Sequence, residues 1–362
     1  MKKIRVAIVG QGRSGWGIHG RYLATKPRRY EAVAAVDPIK KRRDHAQGQF
    51  GCDVYRDHKP LLKRDDIDLV INASPSHLHV PISREFLEAG FNVLCEKPLA
   101  DNAADVDKLT AAAKKSKALL AVFQQSRIAP FFEQIRKVID SGVLGHIVQV
   151  SCAYNGFGRR YDWQTLTEFM GGNLLNTGPH PLDQVLQLFG TDVMPEVHCV
   201  MRSTVNKGDA EDHVNIILTE KGKPTDRPII HLEISSCCAY PHFTYNVYGE
   251  YGGLTGNTRT LEWRYYNPKE APTVRLKKTP LDGPDGMPAY CSDSLKWYKR
   301  SWRLPKSKTD LFAYTSNRFY NALYDSLTKG APLLVPVEHV RRQIAIIEEC
   351  HKQNPHIGKK RG

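Results

Sequence analysis

The stretch IRVAIVGQGRSG, residues 4–15, decides the fold. Ile4 to Val9 is a β-branched, aliphatic run of strand type that stops at Gly10. Gly10, Gly12 and Gly15 then stand at GxGxxG spacing, with Arg13 and Ser14 inside the turn. Glycine is needed there for a tight turn, for close backbone approach to a pyrophosphate, and for packing of the next helix, whose N-terminal amides favour an anion. The next strand signal, Glu31 to Val36, ends at Asp37, about 22 residues past Gly15, where an acid grips the adenosine ribose hydroxyls. That carboxylate repels a 2′-phosphate, so NAD is favoured over NADP. Lys40, Lys41 and Arg42 follow closely and keep the choice open.

Working outward, strand signals recur at Leu69 to Ala73, Phe91 to Cys95 and Ala118 to Phe123, with helical patterns at Val80 to Ala89 and Ala103 to Lys115. Alternation of this kind predicts a doubly wound parallel sheet, whose strands are continuously apolar because helices cover both faces. After about residue 127 the pattern changes. His146 to Tyr154, Glu196 to Thr204, His213 to Leu218, Ile229 to Ser235 and Phe243 to Tyr248 read as longer strands without helices in between. The expected class is α/β: a Rossmann domain over residues 1–127, then an α+β domain over residues 128–362 with an open, largely antiparallel sheet. Asn267 to Pro288 reads as irregular loop, and Leu311 to Leu327 and Pro336 to His351 as helices.

Composition narrows the function classes. With 362 residues and 41% hydrophobic side chains the chain can build two cores. No run approaches the roughly 18 consecutive apolar residues of a membrane span, and MKKIRVAIVGQG offers no cleavage site for export. Eight cysteines without a CxxC pair resemble neither a disulfide scaffold nor a zinc site. We therefore expect reduced thiols, a cytoplasmic location, no metal and no membrane partner. The net charge of +14 is dispersed over KPRR (26–29), KKRR (40–43), KKSK (114–117), Lys296 to Lys308 and GKKRG (358–362). No repeating basic stripe emerges, so nucleic acid is not the expected partner.

Four stretches in order carry a resemblance: the glycine turn at 10–15, ASPSHLH at 73–79, EKPLA at 96–100 and GGNLLNTGPHPLD at 171–183. Together they resemble the glucose-fructose oxidoreductase/inositol dehydrogenase/MocA family. The likeness spans nearly the whole chain, although residues 259–308 carry no usable motif. It implies a second-domain sheet that lines the substrate pocket and often mediates oligomerisation, hence a homo-oligomer. It also implies that Lys97 of the EKP motif contacts the reacting hydroxyl, and that the Lys97–Pro98 peptide is cis.

Oxidising a secondary alcohol needs a hydride acceptor and a group that removes the hydroxyl proton, held in register away from water. Lys97 suits the second task, because an ammonium beside an oxidised nicotinamide and partly desolvated has a lowered pKa. Glu96 is expected to hold the turn or the nicotinamide ribose. Asn176, His180 and Asp183 are spaced four and three, which on one helix would share a face. His180 is expected as acid/base partner because its ordinary pKa lies near working pH. Asn176 stands where the family pattern has aspartate, so it can hydrogen-bond a sugar hydroxyl but cannot take a proton. Asp183 is expected to orient His180, to bind substrate, or to serve as a buried helix-capping group. Ser74, Pro75, His77 and His79 follow a strand's carboxyl end, where such sheets bind cofactor. Arg159, Tyr161 and Trp163, within YNGFGRRYDW, offer forks and planar faces suited to a sugar. The segment 296–308 interleaves aromatics with positive charge as an aromatic-anchored loop or subunit contact would.

The expected activity is NAD-dependent oxidation of a secondary hydroxyl of a sugar, polyol or glycoside, with ring C3 of a glycoside as one target. A glycosidase-like use of retained NAD, and a non-catalytic dinucleotide sensor, are the alternatives.

Overall fold

Apolar strands sort this chain into two sheets. The computed structural model describes residues 3–222 and 226–359; Lys360 and Arg361 of the basic tail lie outside them. The first sheet is six-stranded and wholly parallel: β1 (Ile4–Val9), β2 (Tyr30–Val36), β3 (Asp53–Tyr55), β4 (Leu69–Asn72), β5 (Asn92–Cys95) and β6 (Leu120–Val122). Its spatial order is β3-β2-β1-β4-β5-β6. Strand order reverses between β1 and β4, and ligands of such sheets bind in the crevice at that reversal. Helices α1 (Arg21–Ala24), α2 (Lys40–Phe50), α3 (His79–Glu88) and α4 (Ala103–Ser116) make the crossovers. β4 is buried at all four positions, as a strand covered on both faces must be.

The second sheet has eight strands, in order β16-β13-β12-β11-β7-β10-β9-β8. They are β7 (Ile147–Asn155), β8 (Glu196–Arg202), β9 (His213–Thr219), β10 (Ile229–Ser235), β11 (Tyr245–Gly249), β12 (Gly252–Gly256), β13 (Thr260–Tyr266) and β16 (Trp297–Arg303). Every pairing is antiparallel except β7 with β10. The chain is thus a parallel Rossmann sheet followed by a mixed, largely antiparallel one. A two-residue hairpin, β14 (Leu281–Asp282) with β15 (Pro288–Ala289), sits in the excursion before β16. Helices α5 (Pro130–Asp140), α6 (Asn173–Asn176), α7 (Pro179–Phe189), α8 (Leu311–Lys329) and α9 (Val337–Gln353) complete the fold.

Three features depart from the sequence reading. Residues 252–266 form two strands that the reading left without structure, and 296–308 contains β16 rather than a loop. Asn176 closes α6 while His180 and Asp183 lie on α7, so the three do not share one helix. Pro179 is the reason: without an N–H it starts a new helix instead of continuing the old one.

The C-terminal helices return to the first sheet. Tyr320 of α8 stacks on Tyr22 with ring centroids 4.0 Å apart, and its backbone carbonyl accepts the Tyr30 hydroxyl at 2.7 Å. α9 packs on α4 and β6 as well as on α7 and β8. Residues from both sheets therefore join one continuous core.

Candidate functional site

The glycine turn closes the floor of the crevice. Gly10 has φ +91°, and a Cβ there would lie 2.4 Å from the Ala73 carbonyl oxygen. A Cβ on Gly15 would lie 1.8 Å from the Gly10 oxygen. Both positions need glycine so that β1, the turn and the strand-end segment at Ala73 can touch. Gly12 differs, since a Cβ there meets nothing nearer than the Arg42 guanidinium at 3.9 Å, which leaves its backbone open to a ligand.

Asp37, buried, accepts the Gln11 and Ile39 amides at 2.9 Å each, and Arg42 reaches it at 3.3 Å. The carboxylate therefore ties the second strand end to the glycine turn. His77 keeps a buried Nδ1 without a hydrogen-bond partner among the described residues. These features fit a dinucleotide: an open glycine backbone, an acid at the β2 end and an unsatisfied donor or acceptor beside the crevice. Ser74 and Pro75 lie on the same rim, with Ser74 bonded to the Asn72 side chain at 2.7 Å.

His79 departs from expectation. Its ring is buried between two carbonyls, with Nδ1 2.6 Å from Pro98 O and Nε2 2.9 Å from Ser74 O. Both nitrogens are spent bracing the EKP turn against the β4 loop, and none is left for cofactor.

Lys97 follows β5 at the crevice, and its peptide with Pro98 is cis. Its Nζ donates to the backbone carbonyl of Asn176 at 2.6 Å. Burial lowers the Lys97 pKa; the Glu96 carboxylate opposes this, and Arg13 and Arg160 add to it. Glu96 is buried, with one oxygen 3.1 Å from His19 Nε2 and the other accepting the Lys97 amide at 3.1 Å. Burial alone would raise its pKa, but His19 and the Lys97 charge hold it below the ordinary value. His19 in turn lies 2.7 Å from the Tyr320 hydroxyl. Glu96 thus holds the turn and faces away from solvent.

His180 is brought to the same place. Its Nδ1 lies 3.1 Å from Ser126 Oγ, and burial, then the nearby Lys97, push its pKa down to about 3. The ring is neutral at ordinary pH, which corrects the expectation of a group poised near working pH. Asp183 is not its partner. Its carboxylate takes both ends of the Arg127 guanidinium, with Nε to Oδ2 at 2.9 Å. The pair is buried at 2% and 7% exposure, so Asp183 faces away from the cleft. An acid this buried needs a fork-shaped cation, which the arginine supplies.

Of the aromatic loop, Arg159 is exposed and Tyr161 is 86% exposed. Trp163 packs edge-on to Phe169 at 6.3 Å, and Phe169 lies 5.1 Å from the His77 ring. The arginine that reaches the centre is Arg160. Its Nη2 bonds Asp162 and Gln164, and Gln164 Nε2 lies 3.4 Å from Asn176 Oδ1. The sequence reading missed Arg160, Gln164 and the FQQSR run at 123–127, which supplies Ser126 and Arg127. Position alone marked that run, since it follows β6 at the ligand side of the sheet.

Residues 4–124 match the model described as "Oxidoreductase family, NAD-binding Rossmann fold", and residues 132–255 match the "GFO/IDH/MocA C-terminal domain". The chain belongs to the GFO/IDH/MocA oxidoreductase family. The first sheet is accordingly an NAD-binding Rossmann fold. An uncharacterized oxidoreductase of Schizosaccharomyces pombe is 26% identical over 98% of this chain and 97% of its own. The 2,7-anhydro-N-acetylneuraminate hydratase of Mediterraneibacter gnavus is 29% identical over 70% of this chain and 67% of its own. The structure of the WlbA dehydrogenase from Bordetella pertussis in complex with NADH and UDP-GlcNAcA superposes with a TM-score of 0.75, over 98% of this chain and 96% of that one, at 19% identity. This last likeness shows a shared fold. Among the described residues no helix is long and apolar enough to cross a membrane, and no group of three or more His, Cys, Asp or Glu could hold a metal ion.

Proposed function

We propose that the protein is an NAD-dependent oxidoreductase that converts a secondary hydroxyl of a sugar, polyol or glycoside to a ketone, with Lys97 as the proton acceptor. The observation that carries this reading is the Lys97 amine, fixed 2.6 Å from the Asn176 carbonyl at the switch-point crevice, with burial and two arginines lowering its pKa. When bound, the dinucleotide supplies the hydride acceptor, and Gly10, Gly12, Arg13, Ser14, Gly15, Asp37, Ser74, Pro75 and His77 are the residues that would hold it.

The chain's own part is proton handling and positioning. The neutral Lys97 amine takes the hydroxyl proton and becomes ammonium, which the Glu96 carboxylate and the Asn176 carbonyl stabilise. His180, neutral and tied to Ser126 through Nδ1, presents its other nitrogen for a hydrogen bond to the same hydroxyl. Asn176 accepts from Gln164 through Oδ1, which leaves its amide NH₂ to donate to a neighbouring hydroxyl. Trp163 and Phe169 offer apolar faces at the rim. Asp37 would face the adenosine ribose and favour NAD, since its buried carboxylate would repel a 2′-phosphate; Arg42 at 3.3 Å softens the preference. The sugar-related names among the relatives support the substrate class.

The test is a screen of purified protein with NAD and NADP against free sugars, polyols and aryl glycosides, following reduced nicotinamide absorbance. Lys97-dependent reduction of NAD by at least one of them is expected. Release of free sugar without net NAD reduction would favour the glycosidase-like chemistry, and silence with every sugar despite bound dinucleotide would favour the sensor.

A further inference from the structure

We infer that the substrate is an anionic sugar, bearing a carboxylate or phosphate, and that Arg160 receives the anionic group; this rests on the reading of the site as a sugar oxidoreductase. Four observations lead there.

The cleft carries an excess of fixed positive charge. Arg13, Lys97 and Arg160 converge closely enough for both arginines to act on the Lys97 amine. The buried carboxylate nearest them, Glu96, is already shared between His19 and the Lys97 amide. Arg13 lies in the glycine turn, where the proposed dinucleotide would take it. Arg160 has no such assignment.

Its placement is built rather than incidental. The Arg160 amide donates to Asn206 Oδ1 at 2.8 Å, and its carbonyl accepts the Lys207 amide at 3.0 Å. Asn206 is in turn buried, its amide held by the fully buried Asp212 carboxylate at 2.8 Å. One residue of an otherwise exposed loop is thus clamped from both sides, while its neighbours Arg159 and Tyr161 stay exposed.

A hydrogen-bonded run joins it to the reacting centre. Arg160 Nη2 bonds Gln164, Gln164 bonds Asn176, and the Asn176 carbonyl holds Lys97 Nζ. The guanidinium therefore stands within one small sugar's reach of the amine, on the second-domain side.

Finally, the guanidinium has capacity to spare. Among the described residues its side-chain hydrogen bonds all leave from Nη2, so Nε and Nη1 remain for a further acceptor. Its present counterion, Asp162, is half exposed at the rim. Ion pairs exposed to water contribute little, so a ligand oxyanion can displace Asp162 from Nη2 and take a two-bond fork, or join it through a single bond from Nε or Nη1. Neutralising Arg160 would also relieve the pressure on Lys97 and strengthen it as a base.

The experiment compares matched substrates: a neutral hexose, the uronate of the same sugar and its 6-phosphate, each with NAD-saturated protein. Wild-type kcat/KM is expected to favour one anionic form by about 10–100-fold, the range of a charge-assisted hydrogen-bonded pair; which anion wins distinguishes carboxylate from phosphate. Arg160→Gln should erase that ratio, mainly through KM, and Arg160→Lys should recover part of it. Arg160→Gln should also move the acidic limb of the kcat/KM profile to higher pH, because a charge that lowers the Lys97 pKa is gone. Isothermal titration of the same ligands into the NAD complex reads binding without turnover. Lys97-dependent oxidation of the neutral sugar with no anionic preference overturns this inference and leaves the oxidoreductase reading standing. Equal binding by wild type and a folded Arg160→Gln protein also overturns it. Absence of Lys97-dependent turnover with every sugar, neutral or anionic, overturns both.

Discussion

Glu96 shows how much a single buried charge can decide. It is a carboxylate under the lysine proposed as proton acceptor, and its field works against the amine's deprotonation while it holds the turn in place. Replacing it by Gln removes the one charge that raises the Lys97 pKa. The expected result is an acidic limb of kcat/KM displaced to lower pH; an unmoved limb, or one displaced upward, would mean that Lys97 is not the titrating group. Asp183 poses the opposite case. Sequence spacing placed it with Asn176 and His180, but its carboxylate belongs to Arg127, 56 residues away. Asp183→Asn leaves a buried guanidinium underpaired, and breaking such a pair costs about 3–5 kcal/mol. Thermal melts should show that loss; an unchanged Tm with a raised KM would restore the substrate-binding role. Neither the Arg127 partnership nor the Glu96–His19–Tyr320 chain was legible in sequence, because each joins residues that only the folded chain brings together. The choice of Arg160 over Arg159 was equally hidden, since it depends on which residue of an irregular loop is clamped.

Among the elements, the glycine turn between β1 and the following helical turn was the most legible. Its spacing is dictated by atoms that must touch, and the structure shows the contact: Gly15→Ala would put a methyl carbon 1.8 Å from the Gly10 carbonyl oxygen. Backbone cannot yield there cheaply. The variant is expected to lose about 2 kcal/mol or more of stability and to bind NAD more weakly by calorimetry, whereas unchanged values for both would show that the turn has room. The strands beyond β11 were the least legible. β16 reads WYKRSWR and is exposed at five of its seven positions, so no apolar alternation betrays it. Charged side chains on an edge strand are what keep it from pairing with other chains, and the same charges disguised it as a basic loop. β12 begins with two glycines, which strand propensity counts against: Gly252 lies too close to the β13 backbone for a Cβ, and Gly253 too close to the Val247 carbonyl of β11.

Across the whole molecule, the two sheets were foreseeable because buried parallel strands must be apolar runs and the change of rhythm after residue 127 marks a different architecture. The return of α8 and α9 to the first sheet was not foreseeable, since an amphipathic pattern states that a helix packs but not on what. Helices α6, α7 and α9 cover one face of the second sheet. The other face is open, and one cross-strand row runs Glu196, Thr219, Ile229, Gln149, Tyr248, Gly253, Arg264 and Lys299. Tyr248 is 46% and Ile229 37% exposed on it. A self-complementary dimer through this face is the expected assembly. Light scattering after size exclusion should give a multiple of the 40.9 kDa chain mass that falls to one chain in Tyr248→Glu; a wild-type monomer would contradict it. The account as a whole turns on Lys97 as proton acceptor, and single-turnover oxidation by Lys97→Met with NAD binding followed in parallel tests it most directly. The prediction is near-normal dinucleotide binding with hydride transfer slowed by about 100-fold or more; a variant that binds NAD and turns over at the wild-type rate would contradict it.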